Sequence, residues 1–458
     1  LGDNSPSFPE RKSRLNTGFH PHQPQKIKSL MTNSHSVPSY DPESASNRGF
    51  YFILAAQFFS ALADNALLFA AIALLKDLQA PTWQTPVLQQ FFVFAYIILA
   101  PFVGPFADAL PKGRVMLISN TVKVIACAAM LFGVHPLLAY GVVGVGAAIY
   151  SPAKYGIICE YFPPRKLVWA NGWMEGLTVA AIIFGAVIGG VLISDRLGGL
   201  VASQLASLPY NAGIDTAAEF AIATILILYF LAAVFNLYVP KLPIDHTLPK
   251  RTPLYLLQDF WHCFVQLWKD PLGQVSLAVT SLFWGAGTTL RLIVLLWAAS
   301  ALQMDLEHAT QLTAIVAVGI GVGAAVAARL VPLEHSVRVL PMGIAMGLTV
   351  SAMVLIHDWR VALPVLALIG AMGGYFVVPM NALLQHRGHR LMGAGHSIAL
   401  QNFNENISVL LMLGVYAGMI KAELSANAIV VIFGLLVAGG MTVLTRIHGH
   451  DQDHGEIG

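Results

Sequence analysis

The chain has 458 residues, of which 56% are hydrophobic and 11% charged, where a soluble domain carries roughly 25% charged residues. With a mean hydropathy of +0.67, a water-soluble fold is excluded and the chain reads as one that crosses a membrane many times. A net charge of +2 lacks the basic excess that nucleic acid requires, and three scattered cysteines, Cys127, Cys159 and Cys263, form neither a disulfide framework nor a zinc site.

Residues 1–49 are polar and rich in Ser, Pro and Asn, and read as a disordered tail. A bilayer core takes about 20 apolar residues per helix. Six such runs follow, Phe50 to Leu75, Leu88 to Ala107, Val115 to Val134, Pro136 to Ile158, Val168 to Ile193 and Ala218 to Val239, so residues 50–240 make an N-terminal six-helix bundle. Its last two runs are separated by a long loop over 195–219. The polar linker 241–273 repeats Leu254, Leu257, Trp261, Phe264 and Trp268 at helical spacing beside His262 and Lys269, as an amphipathic helix on a membrane surface does. Six more runs, Val275 to Leu302, Thr310 to Leu330, Val337 to Ile356, Val361 to Leu384, Met392 to Ile420 and Ala426 to Thr445, place a C-terminal bundle at 274–447, before a polar tail at 448–458.

The expected fold is therefore an all-α membrane protein of twelve transmembrane helices in two six-helix bundles. Of the 26 Lys and Arg residues, 19 fall on the side of the two termini and four on the other. The positive-inside rule then sets both termini in the cytoplasm.

The halves repeat each other. Ser151-Pro152-Ala153-Lys154-Tyr155 in the fourth run corresponds to Val378-Pro379-Met380-Asn381-Ala382 in the tenth. The fifth run carries Asn171 and Glu175, the eleventh Asn402, Glu405 and Asn406, and the first and seventh runs align with Asp64 opposite Thr288. Parallel repeats of this kind are how duplicated transporters are built.

Between the second and third runs, the stretch from Gly104 through Asp108 to Lys112 and Arg114 resembles the loop signature of the major facilitator superfamily. Gly104, Asp108, Lys112 and Arg114 are then expected to form a latch made in one conformation and broken in another. The segments Gln57 to Phe69, Tyr150 to Gly156 and Ser281 to Arg291 narrow the resemblance to the bacterial lysophospholipid transporter, or flippase, branch of that superfamily. The resemblance implies inward flipping of lysophosphatidylethanolamine, lysophosphatidylglycerol and related lysolipids across the bacterial inner membrane. It implies as partners the bilayer and a cytoplasmic-side lysophospholipid acyltransferase that restores the diacyl lipid. A multi-pass monomer with no enzymatic activity, cofactor, metal or nucleic-acid partner is expected.

Charge at mid-membrane is costly without a partner or a wet cavity. Asp64 and Arg291, on helices that face each other in such a fold, are expected to meet, either as a headgroup site or as a structural pair between halves. Arg291 would grip phosphate through two N–H groups, Asp64 would take an ammonium, and Asn65 lies beside it. Lys154 with Tyr155 reads either as a second phosphate station or as a Lys snorkelling to the interface. Asn171, Glu175, Asn402, Glu405 and Asn406 read as a lateral gate or as interhelical locks, and Lys123 and Glu160 as interhelical partners.

Competing functions find less support. The sole acyltransferase-like spacing, His448 to Asp453, lies in the polar tail beside His450 and His454 and reads as chance, and no nucleotide-binding Gly-rich loop ends in Gly-Lys-Ser/Thr. The nearer alternative is a proton-coupled exporter of amphipathic small molecules, which would use Asp64 as a titrating carboxylate.

Overall fold

In the computed structural model, twelve helices among the described residues are long and apolar enough to cross a membrane. The structure describes residues 47–448 except 82–83, 195–199, 201–203, 205–213, 245–251 and 305. The readings of the two tails and of most of the 195–219 loop lie outside the described residues.

The first half holds α1 (Asn47–Asp77), α2 (Gln84–Asp108), α3 (Lys112–Leu131), α4 (Pro136–Tyr161), α5 (Leu167–Leu192) and α6 (Ala217–Leu237). A shorter helix, α7 (Pro253–Lys269), precedes α8 (Pro271–Ala301), α9 (Leu306–Leu330), α10 (Leu340–Ala352), α11 (Trp359–Met392), α12 (Ala394–Lys421) and α13 (Ala426–His448). Local chemistry sets many of these starts. Pro136, Pro253 and Pro271 occupy the first turn, where a missing N–H costs nothing. Thr216 and Glu219 close a capping box on α6, each bonding the other's backbone N–H. The ninth apolar run is less regular than its hydropathy suggests: it opens as a 3-10 turn over Leu333–Val339, and α10 proper starts only at Leu340, with Pro341 in its first turn.

The duplication is visible in the packing. α1 packs on α5 and α6 as α8 packs on α12 and α13; α2 lies against α4 as α9 lies against α11; α3 meets α6 as α10 meets α13. Even a strained detail is copied. Gln79 and Gln303, at the positions the repeat alignment sets opposite each other, end α1 and α8 in the left-handed region at φ 51° and 53°. Small residues allow the closest crossings: a Cβ on Gly319 or Gly323 of α9, or on Gly370 or Gly374 of α11, would run into the facing helix backbone.

An even number of spans returns the chain to the face on which it began, here called the terminal face. The helix pairs α2–α12, α5–α9, α4–α12 and α5–α11 join the halves. At Gly393, φ 98° allows α11 to pass directly into α12, a conformation that a side chain would strain.

The Lys and Arg bias gives a direct check of orientation. A cysteine placed at exposed Lys269 should react with a membrane-impermeant maleimide from the cytoplasmic side only, with Cys159 replaced by Ala. Cys127 and Cys263 are buried, and burial, helped by Asp259 and Asp108, pushes the Cys263 thiol up to about 12, so the native background is small. Labelling from outside would invert the topology.

Candidate functional site

A cavity of about 310 Å³ lies within the first half, lined by Gln57, Asp64 and Asn65 of α1, Phe92 and Tyr96 of α2, Lys123 of α3, Tyr150 and Lys154 of α4, and Thr178 and Ile182 of α5, among others. Asp64 lies on the face of α1 from which its side chain meets α3 and α6. Its partner is Lys123, whose ammonium donates to both carboxylate oxygens at 2.8 Å, while the Tyr229 hydroxyl of α6 donates to Oδ1 at 2.7 Å. Lys123 also donates to Ser60 Oγ at 3.2 Å, and Ser60 donates to Asn120 at 2.8 Å. The Tyr150 and Tyr229 rings stand 5.2 and 5.4 Å from the same ammonium. The Lys123 side chain is fully buried and that of Asp64 is 24% exposed, so the pair forms part of the cavity wall with its carboxylate edge reaching the space.

This arrangement corrects the expected meeting of Asp64 with Arg291. Arg291 stands exposed on α8 and is not among the residues lining the cavity; Lys123, of the same half as Asp64, supplies the countercharge. Asn65 lines the cavity and ties its amide to the Ala61 carbonyl of its own helix at 2.8 Å.

Lys154 differs from the other cation. Its ammonium sits 4.3 Å from the centroid of the Tyr155 ring, lines the cavity, and makes no hydrogen bond or ion pair among the described residues. The Tyr155 hydroxyl turns the other way and donates to Glu175 at 2.8 Å. One positive charge therefore faces a cavity whose other acid and base already neutralise each other.

Toward the terminal face the halves are sealed. Asn171 and Gln385 exchange amide hydrogen bonds at 2.8 Å in both directions between α5 and α11. The Asn402 amide donates to the Ser151 hydroxyl at 2.9 Å and accepts from it at 3.2 Å, between α12 and α4. Gln401 donates to Asn381 and to Glu405 at 2.8 and 2.7 Å, and Asn381 approaches Glu175 at 3.5 Å. Asn171, Glu175, Asn402 and Glu405 are buried. In this structure Asn171, Glu175 and Asn402 bind helix to helix, and Glu405 accepts from Gln401 of its own helix. Asn406 bonds the Asn402 carbonyl of its own helix.

The outermost seal is Asp108. Its carboxylate accepts from the backbone N–H of Gly395 at 2.7 Å and of His396 at 3.0 Å, capping the start of α12 from the other half. Anions are favoured at such an N-terminus. Lys112 donates to Asp108 at 2.6 Å, to the Ala107 carbonyl at 2.9 Å, and pairs with Glu160 at 3.2 Å. Gly104 lets the two backbones approach: a Cβ there would lie 2.9 Å from the His396 Cα. Arg114 is exposed and takes no part in this contact. His396 and Gln385 were not singled out from sequence, and Ser151 only as part of the repeat, because nothing along the chain shows which residues of one half meet Asp108, Asn171 and Asn402 of the other.

Residues 53–411 match the model of the Major Facilitator Superfamily. The chain is 45% identical to the lysophospholipid transporter LplT of Yersinia enterocolitica, over 82% of this chain and 88% of that one, and 45% identical to LplT of Escherichia coli K12, over 87% and 95%. This chain belongs to the major facilitator superfamily, within its lysophospholipid transporter family. Solved structures agree on the fold: the superfamily transporter FucP in its outward conformation matches with a TM-score of 0.68 at 14% identity, over 87% of this chain and 98% of that one. A bacterial homologue of the iron transporter ferroportin matches at 0.61 and 16% identity, over 87% and 100%. As a member of this family the protein is a transporter rather than an enzyme, multi-pass in the bacterial inner membrane.

For this family member, the Asp64–Lys123 pair yields a stability cycle. Asp64→Asn leaves an ammonium buried without its countercharge and should cost about 3–5 kcal/mol. Asp64→Asn with Lys123→Met removes both charges and should recover most of that loss. Thermal unfolding of the purified variants measures both; equal destabilisation by the single and double changes would show the pair to be energetically idle.

Proposed function

We propose that this protein moves lysophospholipids, among them lysophosphatidylethanolamine and lysophosphatidylglycerol, from the outer to the inner leaflet, where a cytoplasmic-side acyltransferase restores the second chain. It works as a monomer. The observation that carries this reading is the unpaired Lys154 ammonium in a cavity otherwise neutral in its charged groups. Phosphate is the group every lysophospholipid shares, and a cation freed from water shells grips it through charge-assisted hydrogen bonds. Leu68, Phe92 and Ile182 give the same cavity apolar wall for the glycerol and the first carbons of the chain. The 45% identity to transporters named for lysophospholipids supports the same substrate class.

The charge bias and the seal together support this direction. With the termini in the cytoplasm, the closed end around Asp108 faces inward, and the cavity is loaded from outside. Arg291, exposed on the opposite half, is free to take the phosphate as the halves rearrange. The exporter alternative relies on Asp64 as an unpaired carboxylate, whereas Asp64 is ion-paired with Lys123 and accepts from the Tyr229 hydroxyl.

Uptake of labelled lysolipid into proteoliposomes tests the reading. One-tailed lipids should be carried and diacyl lipids rejected. Lys154→Gln should lower uptake by about tenfold or more, the worth of a hydrogen bond to a charged group, and Lys154→Arg should retain more of it. Equal transport of diacyl lipid and lysolipid, or full activity in Lys154→Gln, would overturn it.

A further inference from the structure

The short helix α7 has three faces. At about 100° per residue, Phe260, Cys263 and Leu267 fall on one side and pack into the second half with Leu277, Leu384 and Leu400. Gln258, His262 and Lys269 fall on a second, exposed side. Leu254, Leu257 and Trp261 fall on a third, and they are 67%, 47% and 63% exposed, with Phe264 stacked on Trp261 at 5.2 Å. One face against protein, one polar and one apolar is the pattern of a helix lying along the boundary of lipid headgroups and acyl chains.

The protein-facing side of α7 reaches the seal. His396 at the start of α12 has two ring nitrogens between two carboxylates: Nδ1 lies 2.6 Å from Asp108 Oδ2 and Nε2 lies 3.3 Å from Asp259 Oδ2 of α7. An imidazolium can serve both, because it donates from both nitrogens. Two residue turns further on, Phe403 of α12 is clasped edge-to-face by Phe260 and Phe264 of α7, at 5.4 and 6.3 Å. α7 also packs on α2, which carries Asp108. The helix thus touches both partners of the contact that closes the terminal face.

We propose that α7 is a lipid-surface arm that holds the transporter closed at the terminal face, seated in the bilayer interface by Leu254, Leu257 and Trp261 and joined to the Asp108 seal through Asp259 and His396. The lipid surface is the occupant because the exposed apolar stripe lies between a solvated face and a buried one at the membrane end of the bundle, where no described segment of the chain covers it. The arrangement biases the equilibrium between closed and open without touching the cavity, so it holds whatever substrate the protein carries.

Hydrogen–deuterium exchange of the intact protein in lipid nanodiscs reads the seal directly, because the amides of Gly395 and His396 are the ones Asp108 accepts from. Asp259→Asn, and separately Leu257→Ser with Trp261→Ser, should each speed exchange in the peptide spanning these residues by about fivefold or more, the lower range of coupling between sites. Peptides of α3 should be unchanged. Asp259→Glu keeps the carboxylate and should restore slow exchange. The proposal is overturned if either set leaves exchange at Gly395 and His396 as in the wild type, if the acceleration extends through α3 as general unfolding would make it, or if Asp259→Glu behaves as Asp259→Asn does.

Discussion

Charge inside hydrocarbon must be paired, wetted or absent, and that constraint orders this molecule. Where a charge has only a structural task it is neutralised at close range: Lys123 by Asp64, Lys112 by Asp108 and Glu160, Arg387 by Asp270 at 2.5 Å. Lys154 is not neutralised in this way: its ammonium is turned toward a cavity and lies against one aromatic ring. In the proposed function, an anionic group entering the cavity removes the physical cost of leaving it there, and that is how a neutral pair and a cation on adjacent helices would become a preference for phosphate.

The second organising contact is a helix terminus. Asp108 caps α12 across the interface between halves, and Gly104 and Gly395 bring the backbones close enough for it to do so. A cap of this kind is lost as a unit when the helices part, since its donors are two successive backbone amides with fixed spacing. The reciprocal pairs Asn171–Gln385, amide to amide, and Asn402–Ser151, amide to hydroxyl, sit deeper along the same seam. Together they make closure a short-range event: a modest separation of the halves breaks all of them, and little is gained by intermediate positions.

Much of this was legible in the sequence, for identifiable reasons. Hydropathy fixes the spans because lipid tolerates no unsatisfied backbone, and the repeat was visible because proline and charge sit at matched depths in both halves. Asp108 could be named because its Gly-rich loop is local in sequence. What failed was azimuth. The depth of Asp64 in α1 is readable from its run, but which neighbouring helix it faces depends on rotation and packing, so the sequence pointed to Arg291 across the cleft and left Lys123, two helices away, as an interhelical partner without a named mate. The same limit hid Tyr229, His396 and Gln385, whose partners lie 165, 288 and 214 residues distant. It also left the Asn and Glu patches open between gate and lock until their partners were seen.

The central claim is that the lysolipid phosphate is held by Lys154. Magic-angle-spinning measurement of phosphorus–nitrogen dipolar coupling, on protein carrying 15N at the lysine Nζ positions and reconstituted with lysophosphatidylglycerol, addresses it without relying on turnover. The account requires one lysine signal, absent in Lys154→Arg, to dephase strongly against the lipid phosphorus, with the Lys123 signal little affected behind its carboxylate. Coupling that persists unchanged in Lys154→Arg, or that is carried by Lys123, would contradict the account and place the phosphate elsewhere.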